Sequence, residues 1–187
     1  MPELPLEIWK DRIENELKFL DHLHVLEKNS VNRDENSVEF IININALGFM
    51  KENMESMDII PQKAHKVFLK LNRTFPYPGG IDFSWYSPIF HPNIHPVELP
   101  TGETGTGYIC LNVLKKWSRL LDLETTVKAL KMLVANPNPD DPLSYPVCLK
   151  ATEFFKQKTM ADLREQYGLE EEEGEEVEEE EIIIIDD

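Results

Sequence analysis

HKVFLKLNRTFPYPGGIDFSWY, residues 65–86, sets the plan of this chain. Its two ends, HKVFLKLNRTF (65–75) and IDFSWY (81–86), are rich in β-branched and aromatic residues in partial alternation, and PYPGG between them reads as a turn. SVEFIININA (37–46) has the same character, so successive strands are expected to form an antiparallel meander. Between the first two strands lies LGFMKENMESMDIIPQKA, a Met-rich connection within 47–64 that is longer than a hairpin needs; a functional excursion and an insertion both fit it. Upstream, Trp9, Ile13, Leu17, Leu20 and Leu23 follow helical spacing within 5–24, with Pro5 in the first turn. Downstream, LDLETTVKALKMLVA (121–135) places Leu123, Val127, Leu130 and Val134 on one face, with Asp122 as N-cap. NPNPDDP (136–142) must break that helix, because its prolines lack amide donors. SYPVCLKATEFF and TMADLREQYG read as two further helices, the last closed by Gly168. Helix, strands and then helices predict an α+β domain with its helices segregated around the sheet.

At 187 residues with 41% hydrophobic side chains, the chain has material for one packed core, expected over 1–168. The net charge of −16 belongs mostly to one end: residues 169–187 hold ten Glu and two Asp and no Lys or Arg, leaving −4 for the rest. Such a balance gives phosphate backbones nothing to bind, so nucleic acid is not an expected partner. Only two cysteines, Cys110 and Cys148, are present, so neither a disulfide framework nor a zinc site is expected. The charged N-terminus and the lack of a long apolar run predict no secretion and no membrane span, which suits the cytoplasm or nucleus. Asn72, Arg73 and Thr74 form a glycosylation pattern that this reading sets aside as chance, and Cys148, Phe154 and Phe155 read as core packing.

Cys110 lies at the end of HPNIHPVELPTGETGTGYICLNVL (91–114), after irregular, Pro- and Gly-punctuated backbone. A cysteine between Ile109 and Leu111 can be a small buried hydrophobe, or a thiol presented by a loop on a rigid scaffold. Pairing with a sequence-distant histidine, as in cysteine hydrolases, stays open on the residues alone. A cysteine that only carries an acyl group needs no strong base, but it benefits from an oxyanion donor, worth roughly 3 kcal/mol of barrier.

HPNI, YICLNVL, Trp117, the LDLETTVKALKMLVA helix and PNPDDPL, in that order, resemble the core of a ubiquitin-conjugating enzyme over roughly residues 5–167. The resemblance implies that fold and a thioester chemistry in which a modifier arrives on Cys110 from an activating enzyme and leaves for a lysine. It implies that Asn93 stabilises the oxyanion or braces the loop, and that His91, with Pro92, holds that loop. Asp141 corresponds to the acid that orients and deprotonates the lysine. It implies no metal and no cofactor, since ATP is consumed upstream. Its ligase surface would include Tyr77 and the loop of Trp117, Ser118, Arg119 and Leu120, which lacks the usual proline. Lys10, Arg12 and Lys18 would meet the activating enzyme, on a helix less basic than is common. Asn112 is similar to the Nedd-type members, so ubiquitin and a Nedd-type modifier both remain as cargo. A non-catalytic modifier-binding variant of the same fold is the alternative.

Two stretches depart from the family pattern. HPVELPTGETGTG lengthens the link between HPN and the cysteine; it reads as a tolerated surface insertion, since doubling a loop costs only about 0.6 kcal/mol, or as a gate or a partner contact. Gly105, Thr106 and Gly107 echo a phosphate-binding loop without the Lys-Ser/Thr that would complete one. The tail EEEEGEEVEEEEIIIIDD, within 169–187, is expected to be disordered. Ile182, Ile183, Ile184 and Ile185, bordered by acids, resemble a SUMO-interacting strand, and the Glu run suits the basic groove of a cullin-type ligase. Deleting 182–187 is expected to leave thioester formation intact and weaken binding to free SUMO-like modifier in a titration; unchanged binding would remove this role.

Overall fold

The computed structural model describes residues 2–110 and 122–169; Trp117, Ser118, Arg119, Leu120, Asn112 and the tail isoleucines lie outside them. Helix α1 (Leu6–His22) begins after Pro5, which stands at the N-cap and not inside the first turn. Strands β1 (Asn32–Arg33), β2 (Ser37–Met50), β3 (Ile60–Asn72) and β4 (Ile81–Trp85) form an antiparallel sheet in that order. A separate pair, β5 (Ile94–His95) and β6 (Tyr108–Ile109), follows, and then helices α2 (Leu123–Ala135), α3 (Pro146–Gln157) and α4 (Met160–Tyr167).

The meander has the predicted order, with strands that reach further than the sequence suggests. Val38, Phe40, Ile42 and Ile44 are buried and stand opposite Leu71, Leu69, Val67 and His65. That period of two is what a sheet covered on one face requires. Between Asn45 and Gly48 the register slips, the alternation gives way to four consecutive buried residues, 46–49, and Leu47 and Phe49 join the apolar interior. These two, with Ile59, join Phe90, Ala151, Phe154, Phe155 and Leu163 in a second apolar cluster, separate from the main core of α1, α2 and the sheet. The Met-rich stretch is therefore an extension of the β2–β3 hairpin that packs against α3 and α4. Lys51 is buried there, its ammonium 4.8 Å from the Phe90 ring centroid, and donates to Ser56 O at 2.6 Å.

Helices are fixed at their ends. Asp122 accepts from Thr125 N at 2.7 Å as the N-cap of α2, and buried Glu16 of α1 accepts from Leu123 N at 2.9 Å while pairing with Arg12 at 2.7 Å. One carboxylate thus caps a helix 107 residues away in sequence. Thr159 and Asp162 form a capping box on α4, and Gly168 closes it at φ 63°. The β3–β4 turn also needs its glycine, because a Cβ on Gly80 would stand 2.3 Å from Phe75 N.

Glu16→Ala leaves the Leu123 N–H without its acceptor, and should lower the unfolding free energy by about 1–3 kcal/mol. Glu14→Ala, which breaks the exposed pair with Arg33 at 2.8 Å, should cost less than about 1 kcal/mol. Urea denaturation of both variants checks this; equal losses would contradict the capping role of Glu16.

Candidate active site

Leaving β4, the chain is anchored by Phe90, whose N–H donates to Phe49 O at 2.7 Å and whose ring sits in the second cluster. His91, Pro92, Asn93, Ile94 and His95 that follow are all buried. His91 accepts from Asn93 N at Nδ1 (3.1 Å), so the proton sits on Nε2, which donates to Leu133 O of α2 at 3.0 Å. Burial pushes its pKa down to about 3, and the ring stays neutral. His91 thus ties the HPN turn to the end of α2.

Asn93 is 0% exposed, and both the nitrogen and the oxygen of its amide are hydrogen-bonded. Its Nδ2 donates to Asn138 O (3.0 Å) and Asp141 O (2.9 Å), and its Oδ1 accepts from Asn138 N (2.8 Å). In this structure both amide protons are committed to the 138–141 turn. The turn it braces carries Asp141, whose side chain is exposed. Pro92 O adds a bond from Leu143 N at 2.9 Å.

Cys110 reaches the same place through the β5–β6 ladder. Ile94 stands opposite Ile109 and His95 opposite Tyr108, and Cys110 N–H donates to Asn93 O at 2.8 Å. Asn93 thus bonds the cysteine through its backbone and the Asp141 turn through its side chain. Cys110 is 6% exposed. The other thiol, Cys148, is fully buried, donates to Ile94 O at 3.3 Å, and is pushed up to about 12 by burial, so it stays an inert SH.

The long link between HPN and the cysteine is an ordered hairpin. Gly105 N donates to Val97 O (2.7 Å), Leu99 N to Glu103 O (3.0 Å) and Gly102 N to Leu99 O (2.9 Å). Its glycines serve close approach: a Cβ on Gly107, at φ 73°, would lie 2.0 Å from Ser84 Oγ, and one on Gly105 would lie 2.0 Å from Pro96 O. Gly105 N and Thr106 N bond Val97 O and His95 Nδ1, so two of the three amides of the phosphate-loop echo are already committed.

The remaining candidates sit elsewhere. Tyr77 lies half-buried in the β3–β4 connection, closing it through bonds with Thr74 and Gly80. Lys10 and Lys18 are exposed on α1, while Arg12 bends back to Glu16 and lies 5.9 Å from the Phe75 ring centroid. Among the described residues no group of three or more His, Cys, Asp or Glu is arranged to hold a metal. Sequence reasoning missed His95, Tyr145 and Asn138; their signal was only proximity to HPN and PDDP.

The family profile for ubiquitin-conjugating enzymes matches residues 61–162, more than half of the chain and the whole of this site. The chain belongs to the ubiquitin-conjugating enzyme family. A probable ubiquitin-conjugating enzyme E2 31 of Arabidopsis thaliana is 40% identical over 62 residues, 33% of this chain and 34% of that protein. Ubiquitin-conjugating enzyme E2 N of Drosophila melanogaster is 35% identical over 86 residues, 44% of this chain and 51% of that one. The chain thus spans a third to about half of the curated relatives it matches. Among solved structures, the E2 domain of a Toxoplasma gondii ubiquitin conjugating enzyme superposes with a TM-score of 0.53 at 22% identity, over 86% of this chain and 93% of that one. That likeness bears on the fold, and its helix–meander–helix order is the family's.

His91 gives this ubiquitin-conjugating enzyme family member a marked acid sensitivity. Unfolded, His91 takes its proton near pH 6.5; folded, it stays neutral to about 3. Between those values the unfolded chain binds more protons, so stability is full above pH 6.5 and falls with pH by about 1.4 kcal/mol per unit from this one group. His65 and His95, also lowered by burial, act in the same direction. Denaturation series at pH 7, 6 and 5 should show the decline, and a His91 ring resonance titrating near 6.5 would contradict the neutral buried ring.

Proposed function

We propose that the chain carries ubiquitin or a Nedd-type modifier as a thioester on Cys110 and transfers it to a lysine. The single observation that carries this reading is the Asn93 junction: one buried residue bonded both to Cys110 through its carbonyl and to the Asp141 turn through its amide. That arrangement sets an acyl-accepting thiol and an exposed carboxylate into a common frame. In the first step Cys110, its thiol proton lost to solvent, attacks the carbonyl of the modifier's C-terminal thioester; a new C–S bond forms, the bond to the activating enzyme's sulfur breaks, and that sulfur leaves as a thiolate that solvent can protonate. In the second, a lysine amine attacks that carbonyl, the C–N bond forms, Cys110 leaves as thiolate, and the amine's proton passes to Asp141 or solvent. Asn93 acts here by holding Asp141 in place. An upstream activating enzyme that consumes ATP and a RING- or cullin-type ligase complete the proposed partners, in the cytoplasm or nucleus.

Incubation with activating enzyme, ATP and either modifier, followed by non-reducing electrophoresis, should give a thiol-labile adduct that Cys110→Ser converts to a thiol-resistant one or abolishes. No adduct with any modifier would sink the carrier reading and favour a non-catalytic binding module. Asn93→Ala should still charge but discharge to free lysine about 10- to 100-fold more slowly, from misplacement of the turn; wild-type discharge would remove Asn93 from the mechanism.

A further inference from the structure

The side chain of Asn93 attaches the Asp141 turn to β5 at one end, and a stretch held at one end can swing about it. β5 supplies a second attachment further along. Ile94 lies in the main core, so Asn93 and His95, on either side of it, share the opposite face of the strand, and both meet the 138–145 stretch. Asn93 takes the turn at Asn138 and Asp141. His95 takes Tyr145, four positions beyond Asp141, with the two rings stacked at a centroid distance of 3.8 Å and planes within 5°. Between these points Leu143 N donates to Pro92 O at 2.9 Å.

Both partners of the stack are themselves fixed. His95 is only 7% exposed; its Nδ1 accepts from Thr106 N at 3.3 Å and lies 2.8 Å from Thr106 Oγ1, so the ring cannot turn without breaking bonds to the chain that leads into β6. Tyr145 is the N-cap residue of α3, a helix that starts with Pro146 and has no side-chain cap. Its start is held instead by the ring stack and by the Cys148 thiol, which donates to Ile94 O at 3.3 Å. Asp141 itself is exposed, so the aim of its carboxylate is inherited from the backbone on either side of it.

We propose that His95 and Tyr145 are a pair of positioning residues: their stack is the second anchor of the Asp141 turn, and together with Asn93 it fixes the direction in which the Asp141 carboxylate meets the amine that attacks at Cys110. The inference rests on the thioester reading above. Asn93 bonds Cys110 through its carbonyl, so the strand that carries both anchors is also the strand that places the thiol. A carboxylate displaced by about 1 Å from its working position can lose on the order of 100-fold in rate, which makes a second anchor useful where one would leave a pivot.

The test uses the full chain, charged with ubiquitin or with a Nedd-type modifier where ubiquitin is not accepted, isolated as the thioester and chased with free lysine, so that discharge is read per charged molecule. His95→Ala and Tyr145→Ala should each slow discharge about 10- to 100-fold. The double variant should be no slower than the worse single one, since both substitutions remove the same contact. His95→Phe and Tyr145→Phe, which keep a flat ring in the stack, should recover most of the loss. In an Asp141→Asn background, His95→Ala should add little, because the group it aims is gone. Wild-type discharge in either alanine variant overturns the inference, as do an additive double variant and phenylalanine variants no better than alanine. A full further loss from His95→Ala in the Asp141→Asn background also overturns it, since His95 would then act on the fold and not on Asp141. Should the buried His95→Ala fail to fold, the half-buried Tyr145→Ala, alone and in the Asp141→Asn background, decides by the same two comparisons. Failure of the unsubstituted chain to charge overturns both this inference and the thioester reading, whereas normal charging with wild-type discharge in the variants overturns this inference alone.

Discussion

The carboxamide of Asn93 is the constraint on which the rest of this site depends. It is fully buried, and three hydrogen bonds commit both its amide protons and its oxygen to a turn 45 to 48 residues away. A buried amide left unpaired costs about 1–3 kcal/mol, so the 138–141 turn and the HPN turn must form together or not at all. Cys110 enters the same unit through its own N–H on the Asn93 carbonyl. Three segments distant in sequence thereby become one cooperative piece, and the thiol cannot drift from the acid-bearing turn without breaking it.

Around that piece the fold supplies two cores. The slip between Asn45 and Gly48 lets β2 serve the main core with even positions and the second cluster with odd ones. Phe90, in the second cluster, and Ile94, in the first, bracket the HPN turn, so it is seated where the two cores meet. The insertion bonds the end of β4 at Trp85, and Tyr86 just beyond it, so those backbone groups are not left as a bare edge. An insertion that is cheap in loop entropy is here also useful to the sheet, which explains why it is ordered.

Much of the fold was legible beforehand because its signals are local. Alternation from Val38 to Ile44 and from Val67 to Leu71 marks strands, the face of Leu123, Val127, Leu130 and Val134 marks α2, and Asp122 and Gly168 mark helix ends. The extension of β2 to Met50 and of β3 back to Ile60 was not legible, since the bulge breaks the period of two on which such readings depend. The capping box of Thr159 and Asp162 carries a local signal and could have been found.

The sequence by itself determined the α+β order, the presence of HPN, a cysteine and PDDP, and hence the family, because each is a property of residues close together along the chain. Only the tertiary structure decided what those residues do for one another. The commitment of the Asn93 amide to bracing, the capping of α2 by Glu16, and the grip of His95 on both Thr106 and Tyr145 are contacts between residues up to 107 positions apart. Such contacts leave no periodicity to read, since they are selected by packing and by the need to pair every buried polar group. The Gly-rich run shows the difference most plainly: its composition echoed a phosphate loop, and its folded surroundings at Ser84 and Pro96 make it a close-packed hairpin.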